Sequence, residues 1–82
     1  MNIITATDNR AASVHFSDAC LFVLLADGRE LRVPLAWFPR LVAATPEQRA
    51  HWRLIGGGEG IHWPEPVDED ISVAHLLGLP ED

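Results

Sequence analysis

Few side chains in this sequence could do chemistry. Histidines stand at 15, 51, 62 and 75, a single cysteine at 20, and serines at 13, 17 and 72. Carboxylates gather at Glu65, Asp68, Glu69 and Asp70. A zinc site needs Cys or His ligands at short paired spacings. The histidines match no such spacing, and only folding could bring His51 and His62 together. A thiol nucleophile needs exposure and a neighbouring base. Cys20 instead opens an apolar run, which predicts a central strand with the thiol on its core side, packed as a small hydrophobe. The serines have turn and cap roles. Paired carboxylates do acid–base work only where their environments push the two pKa values apart. A solvated, proline-bearing loop around Glu65 and Asp70 offers no such contrast. The run Gly56-Gly57-Gly58-Glu59-Gly60 lacks the Gly-Lys-Ser/Thr ending of a phosphate-binding loop. These readings predict no catalytic residue, no metal and no cofactor.

The element that organises the chain is the stretch 20–34, where two apolar runs flank Asp27-Gly28. Asp-Gly is a strong hairpin signal, because a type I′ turn needs positive φ at both central residues. A two-residue loop would pair Ala26 with Arg29, Leu24 with Leu31 and Phe22 with Val33. Side chains alternate across a strand, so this register puts Phe22, Leu24, Leu31 and Val33 on the core face. It leaves Leu21, Val23 and Leu25 on the opposite face beside Glu30 and Arg32. That mixed face is the expected interface, since contiguous exposed apolar surface marks interaction sites. On this reading Val23→Asp weakens association and spares the fold.

Length and charge set the outer bounds. The 82 residues suffice for one domain, 1–82. With 48% hydrophobic and 22% charged residues, the chain is globular in composition. No apolar run approaches the ~20 residues of a membrane span. The N-terminus lacks the pattern of a signal peptide, and a lone cysteine forms no internal disulfide, so a cytoplasmic location is expected. The net charge is −6, and it is unevenly placed: all six basic residues are arginines, the last at 53, whereas 55–82 carries four Glu and three Asp. Nucleic-acid binding needs clustered Lys and Arg, so no direct nucleic-acid contact is expected. The acidic half, with Glu65, Asp68, Glu69 and Asp70, would steer a basic partner.

Along the chain, Ile3, Ile4 and Thr5 suit an edge strand, and Ser13 to Phe16 alternate as a strand. With a turn at Ser17-Asp18 they complete a three-stranded meander. Leu35, Phe38, Leu41 and Val42 recur at helical spacing, predicting a helix over 37–44 with Pro39 in its first turn. Thr45-Pro46-Glu47-Gln48 predicts a second helix to about residue 52: Thr45 caps, Pro46 takes the first helical position and Gln48 completes a capping box. Short strands over 52–55 and 60–63 enclose the glycine run, whose residues predict positive φ or a bulge. An acidic loop over 67–70 follows. Ser72 caps a helix over 73–77, with Ile71 and Leu76 as a hydrophobic staple and Gly78 as its stop. Of Trp37, Trp52 and Trp63, the last shares a strand face with Ile61. The expected fold is α+β: a meander, a second short hairpin, and two to three short helices packed on them.

Several of these pieces carry a resemblance. Ala26 to Glu30, Pro34 to Leu41, the 52–55 and 60–64 segments, and Asp68 to Val73 are similar to the bacterial domain-of-unknown-function family 2442, over about 14–77. The resemblance implies a compact α+β fold and no catalytic residues. It also implies a setting similar to a toxin–antitoxin pair, with this chain as the acidic antitoxin-like member beside a small basic protein. Longer relatives add a helix-turn-helix domain for which 82 residues leave no room. The expected function is a non-catalytic protein-interaction module, with a homodimer as one form of the contact. The other classes are an inhibitor that mimics nucleic-acid charge and an enzyme of unknown type.

Overall fold

The computed structural model describes residues 7–79; the strand expected over Ile3–Thr5 lies outside them. The first sheet is an antiparallel meander of β1 (Ala11–Phe16), β2 (Cys20–Leu25) and β3 (Glu30–Pro34), in that order. The second sheet joins β4 (Arg53–Ile55), β5 (Gly60–Trp63) and β6 (Glu69–Ser72), again antiparallel. Between the sheets run a one-turn 3-10 helix (Leu35–Trp37), α1 (Pro39–Val42) and α2 (Pro46–Arg49); α3 (Val73–Leu76) closes the chain. The fold is α+β, as expected. No helix among the described residues is long and apolar enough to cross a membrane.

The β2–β3 register is the principal correction. Val23 faces Leu31, Leu21 faces Val33, and Leu24 faces Glu30. Every pair is displaced by one residue from the two-residue-loop expectation. The cause is the turn. Gly28 N–H donates to Leu25 O at 3.0 Å, and Leu25 N–H donates to Arg29 O at 2.7 Å. Ala26 and Asp27 keep negative φ, while Gly28 sits at φ +96°. This is a three-residue loop, a type I turn followed by a left-handed glycine, and not the type I′ turn. One extra loop residue moves a strand's whole side-chain set to the other face. Leu21, Val23 and Leu25 are therefore core, at 0%, 0% and 1% exposure. Phe22, Leu24 and Cys20 point outward, and Leu24 is 37% exposed. The expected interface of Leu21, Val23 and Leu25 beside Glu30 and Arg32 does not exist, and Cys20 is half-buried on the outer side.

Charged groups hold the turn in this form. Asp27 accepts from the backbone N–H groups of Arg29 and Asp8 and from Arg29 Nε. Asp8 in turn binds the Arg10 guanidinium at 2.6 Å. The Arg29 bond to Asp27 and the Arg10 bond to Asp8 each hold a carboxyl down at about 2. Arg29 also reaches Asn9 Oδ1. The N-terminal residues 8–10 are thus tied to the hairpin end.

Pro39 accounts for a second correction. The residue before a proline is driven out of the α region, and Phe38 lies at φ −126°, ψ 83°. The helix expected over 37–44 is therefore two short pieces. The capping box at Thr45–Gln48 forms in full: Gln48 N–H donates to Thr45 Oγ1 and Thr45 N–H to Gln48 Oε1. That helix stops at Arg49, short of 52. Ser72 accepts from His75 N–H. At the other end of α3, Gly78 N–H donates to His75 O and Leu79 N–H to Ala74 O, a Schellman closure.

The acidic segment expected as a loop over 67–70 is partly strand. Val67 and Asp68 N–H both donate to Pro64 O, and Asp68 turns through φ +51°. That turn sends Glu69 back along β5, where Ile71 faces Ile61 and Asp70 faces His62. Cross-strand pairing with β5 overrides the low strand propensity of Glu and Asp. The inner faces of both sheets supply one core: Leu21, Val23 and Val33 with Ile61, Trp63 and Ile71, closed by Leu35, Leu41 and Val73. Each such side chain contributes ~1.5–3 kcal/mol on burial. Trp63 is fully buried, meets Phe16 edge-on at 6.2 Å and donates Nε1–H to Arg49 O. Gly58 packs so tightly on β1 that a Cβ there would lie 2.5 Å from Ala11 O.

Candidate functional site

With the register known, the outer face of the first sheet can be assembled from its pairings. His15 faces Phe22, and Phe22 faces Arg32; Ser13 faces Leu24, and Leu24 faces Glu30. The His15 ring stacks on Phe22 at 4.6 Å between centroids and 6° between planes. His15 Nε2 lies 4.0 Å from Glu30 Oε2. Glu30 and Arg32 are exposed. The result is an aromatic and aliphatic strip on β2, bordered on β3 by one acid and one base. Apolar area rimmed by charges is the composition found at protein–protein contacts.

Glu30 and Arg32 remain on this face, with Phe22 and Leu24 in place of Leu21, Val23 and Leu25. Sequence reading missed Phe22, Leu24 and His15 as surface residues. The available signal was Gly28 read as the third residue of a loop instead of the second.

The acidic residues belong to the second sheet and the loop before it. His62 Nδ1 and Asp70 Oδ1 lie 2.5 Å apart, and Arg53 faces His62 on the other side. Arg40 Nη1 donates to Asp68 O and lies 4.0 Å from its carboxylate. Glu69 accepts the Asp70 N–H, and Glu65 is exposed. His51 is exposed and His62 serves Asp70, so folding does not turn this pair into a ligand set. Among the described residues no three His, Cys, Asp or Glu side chains form a metal-holding group.

Two open depressions flank α2. One, of about 540 Å³, lies between Arg40, Gln48, Pro66 and Asp68. The other, of about 410 Å³, runs beside β1 from Val14 to Asp18 and is walled by Pro46, Arg49 and Trp52. Trp37 is exposed at 62% and Trp52 is half-buried.

The model of a family described as "Protein of unknown function (DUF2442)" matches residues 11–79. A crystal structure of a protein of unknown function from Rhodospirillum rubrum is similar, with a TM-score of 0.68 and 28% identity over 89% of this chain and 90% of that one. A solution structure of an uncharacterized protein from Chromobacterium violaceum gives a TM-score of 0.69 and 28% identity. That match covers 84% of this chain and 64% of the other. No curated protein matches the chain.

Proposed function

The chain belongs to the DUF2442 family of proteins of unknown function, and from that premise we propose that it is a non-catalytic protein-interaction module that docks a basic protein. In this reading it is the acidic, antitoxin-like member of a two-gene pair. The observation that carries the proposal is the outer face of the first sheet. Leu24 and Phe22, the latter half-buried under the His15 ring, stand there on the central strand of a meander. Burial against another protein would desolvate the apolar area they leave in water at ~25 cal/mol per Å². The partner's charge follows from the chain's own. A net −6, with no basic residue after Arg53, favours encounter with a cationic surface. Arg32 and Glu30 then set the orientation.

The test first reads the neighbouring genes for one that encodes a small basic protein. It then measures capture of that protein by wild type and by Leu24→Asp, with circular dichroism on both. A neighbourhood without such a gene refutes the two-gene pair. The expected result is loss of capture with an unchanged spectrum. Equal capture by the two proteins refutes the docking face. A wild type that captures nothing and behaves as a dimer, with Leu24→Asp monomeric, replaces the basic partner by a second copy.

A further inference from the structure

We propose that the free edge of β1 is a second docking site, one that adds a short extended peptide carrying an apolar side chain next to cationic ones. The proposal rests on the interaction-module reading and names a contact distinct from the outer face. Among the described residues β1 pairs only with β2, so its other side is an edge. Which backbone groups face that edge follows from hydrogen-bond alternation in antiparallel pairs. Ser17 N–H donates to Cys20 O, and this pair continues the register in which Phe16 faces Leu21, His15 faces Phe22 and Val14 faces Val23. Bonded and non-bonded pairs alternate, so Val14 and Phe16 direct their N–H and C=O groups away from β2. The β2–β3 ladder agrees: Leu25 N–H donates to Arg29 O and Leu35 N–H to Ala19 O. That phase gives Leu21 and Val23 to β3, leaving Val14 and Phe16 without bonds from β2.

The edge is open over only part of its length. At Ala11 the glycine turn closes it, with Gly58 against the Ala11 backbone. From Val14 to Asp18 the edge borders the ~410 Å³ groove instead. Consecutive strand residues line that groove, which places it along the edge and not on either face, because faces take alternate residues. Its far wall is Pro46 and the half-buried Trp52, an apolar seat for one side chain of an added strand. Strand addition works in this way: main-chain bonds supply affinity and a pocket for alternate side chains supplies specificity.

Charge selects the occupant. Arg49 has its donors engaged, Nε on Leu41 O and Nη2 on Val42 O, with its guanidinium over the Phe16 ring. Neutral carbonyls leave its charge in place, so the occupant turns its apolar side chain and not its cation to that wall. Asp18, at the open end of the groove, has no ion pair among the described residues. It stands in the turn that follows β1 and lines the groove there, so it meets a side chain of the occupant near that end. A cation fits there.

The probe is acetyl-Arg-Thr-Leu-Thr-Arg-amide, expected to add antiparallel with its leucine opposite a bonding residue of the edge. The leucine N–H and not the threonine N–H groups then bonds to β1, and the palindromic order puts an arginine on either side of the leucine. The peptide is titrated into the 15N-labelled chain and followed by amide shifts and amide exchange. Saturable binding is expected, with the largest slowing of exchange at Val14 and Phe16. Methylation of the leucine nitrogen should weaken binding at least tenfold, whereas methylation of either threonine nitrogen should change it less than threefold. Asp18→Asn should weaken the arginine peptide severalfold and leave a peptide with Thr in place of both Arg unaffected. Absence of saturation to millimolar peptide, equal loss from all three methylations, or protection confined to other strands overturns the site. If the peptide fails while Leu24-dependent capture of the basic protein persists, the edge is refuted and the outer-face reading stands. Failure of capture with the peptide bound refutes the outer face alone.

Discussion

The first and second sheets each have three antiparallel strands and each turns one face into the shared core, yet their outer faces differ in kind. On the second sheet the outward positions are Arg53, His62 and Asp70, which face one another across the strands, with one exposed apolar side chain, Ile55, at the sheet's end over Gly60. On the first they are Phe22, Leu24 and the stacked His15 ring, with Glu30 and Arg32 at the margin. Apart from Ile55, the second face is polar and water satisfies it as it stands. The first keeps apolar area in water on the strand that also supplies Leu21, Val23 and Leu25 to the core. A run apolar on both sides, as in β2, belongs in a sheet covered on both faces. Here the chain covers one face, and the second cover is the proposed partner.

Adjacent substitutions on β2 test this contrast most strongly. Val23→Asp places an unpaired charge at a fully buried site, which costs several kcal/mol and removes most of the ~5–15 kcal/mol a domain has. Circular dichroism should show it unfolded. Leu24→Asp, one residue on, should shift stability by less than ~1 kcal/mol and act on association only. A folded Val23→Asp beside an unfolded Leu24→Asp would return the register to the two-residue loop.

Gly28→Val probes the turn that sets this register. A Cβ there meets nothing within 4 Å, so the whole effect is a β-branched residue at φ +96°. The expected cost is about 1–3 kcal/mol, a fall in Tm on the order of 10 °C. An unchanged melt would sink the three-residue turn.

Acid should loosen the same hairpin end. The Asp27 carboxyl is held at about 2 by its bond from Arg29 and by the backbone N–H groups of Asp8 and Arg29. A lowered folded pKa gives stability that is complete above the unfolded value of about 3.9 and is lost as pH falls toward the folded value. Urea midpoints should therefore drop between about pH 4 and pH 2, and drop less in Asp27→Asn. Parallel pH curves for the two proteins would show that the carboxylate does not anchor the turn.

The smallest effect is expected on the second sheet's outer face. Asp70 is exposed, and such pairs contribute ~0–1 kcal/mol. Asp70→Ala should leave Tm within a few degrees and leave capture of the basic partner intact. A loss of capture would move the interface from the first sheet to the second.

Local chemistry by itself determined much of this molecule. The capping box at Thr45 and Gln48, the Ser72 cap, the glycine closure after α3, the meander and the inward Ile61 and Trp63 are all set by groups a few residues apart. Such features depend on backbone donors and acceptors that the chain cannot avoid satisfying nearby. The helix break at Phe38 was equally local and legible, since Pro39 forbids its predecessor the helical region. What only tertiary structure decided was which face of β2 is inside. Cys20 to Leu25 is apolar at every position, so alternation carried no information there, and the turn alone could set the phase. Asp27-Gly28 admits either a two-residue or a three-residue loop. The Asp8 backbone N–H bonded to Asp27, the Asn9 side chain bonded to Arg29 and the Arg10 carbonyl bonded to Ala26 N–H come from about twenty residues away, and they hold the longer one. The same holds for β6, where Glu69 and Asp70 have low strand propensity and join the sheet because Ile71 finds Ile61 across it. Outer-face chemistry followed from that one choice of phase: a single residue of register exchanges Leu21, Val23 and Leu25 for Phe22 and Leu24 at the surface.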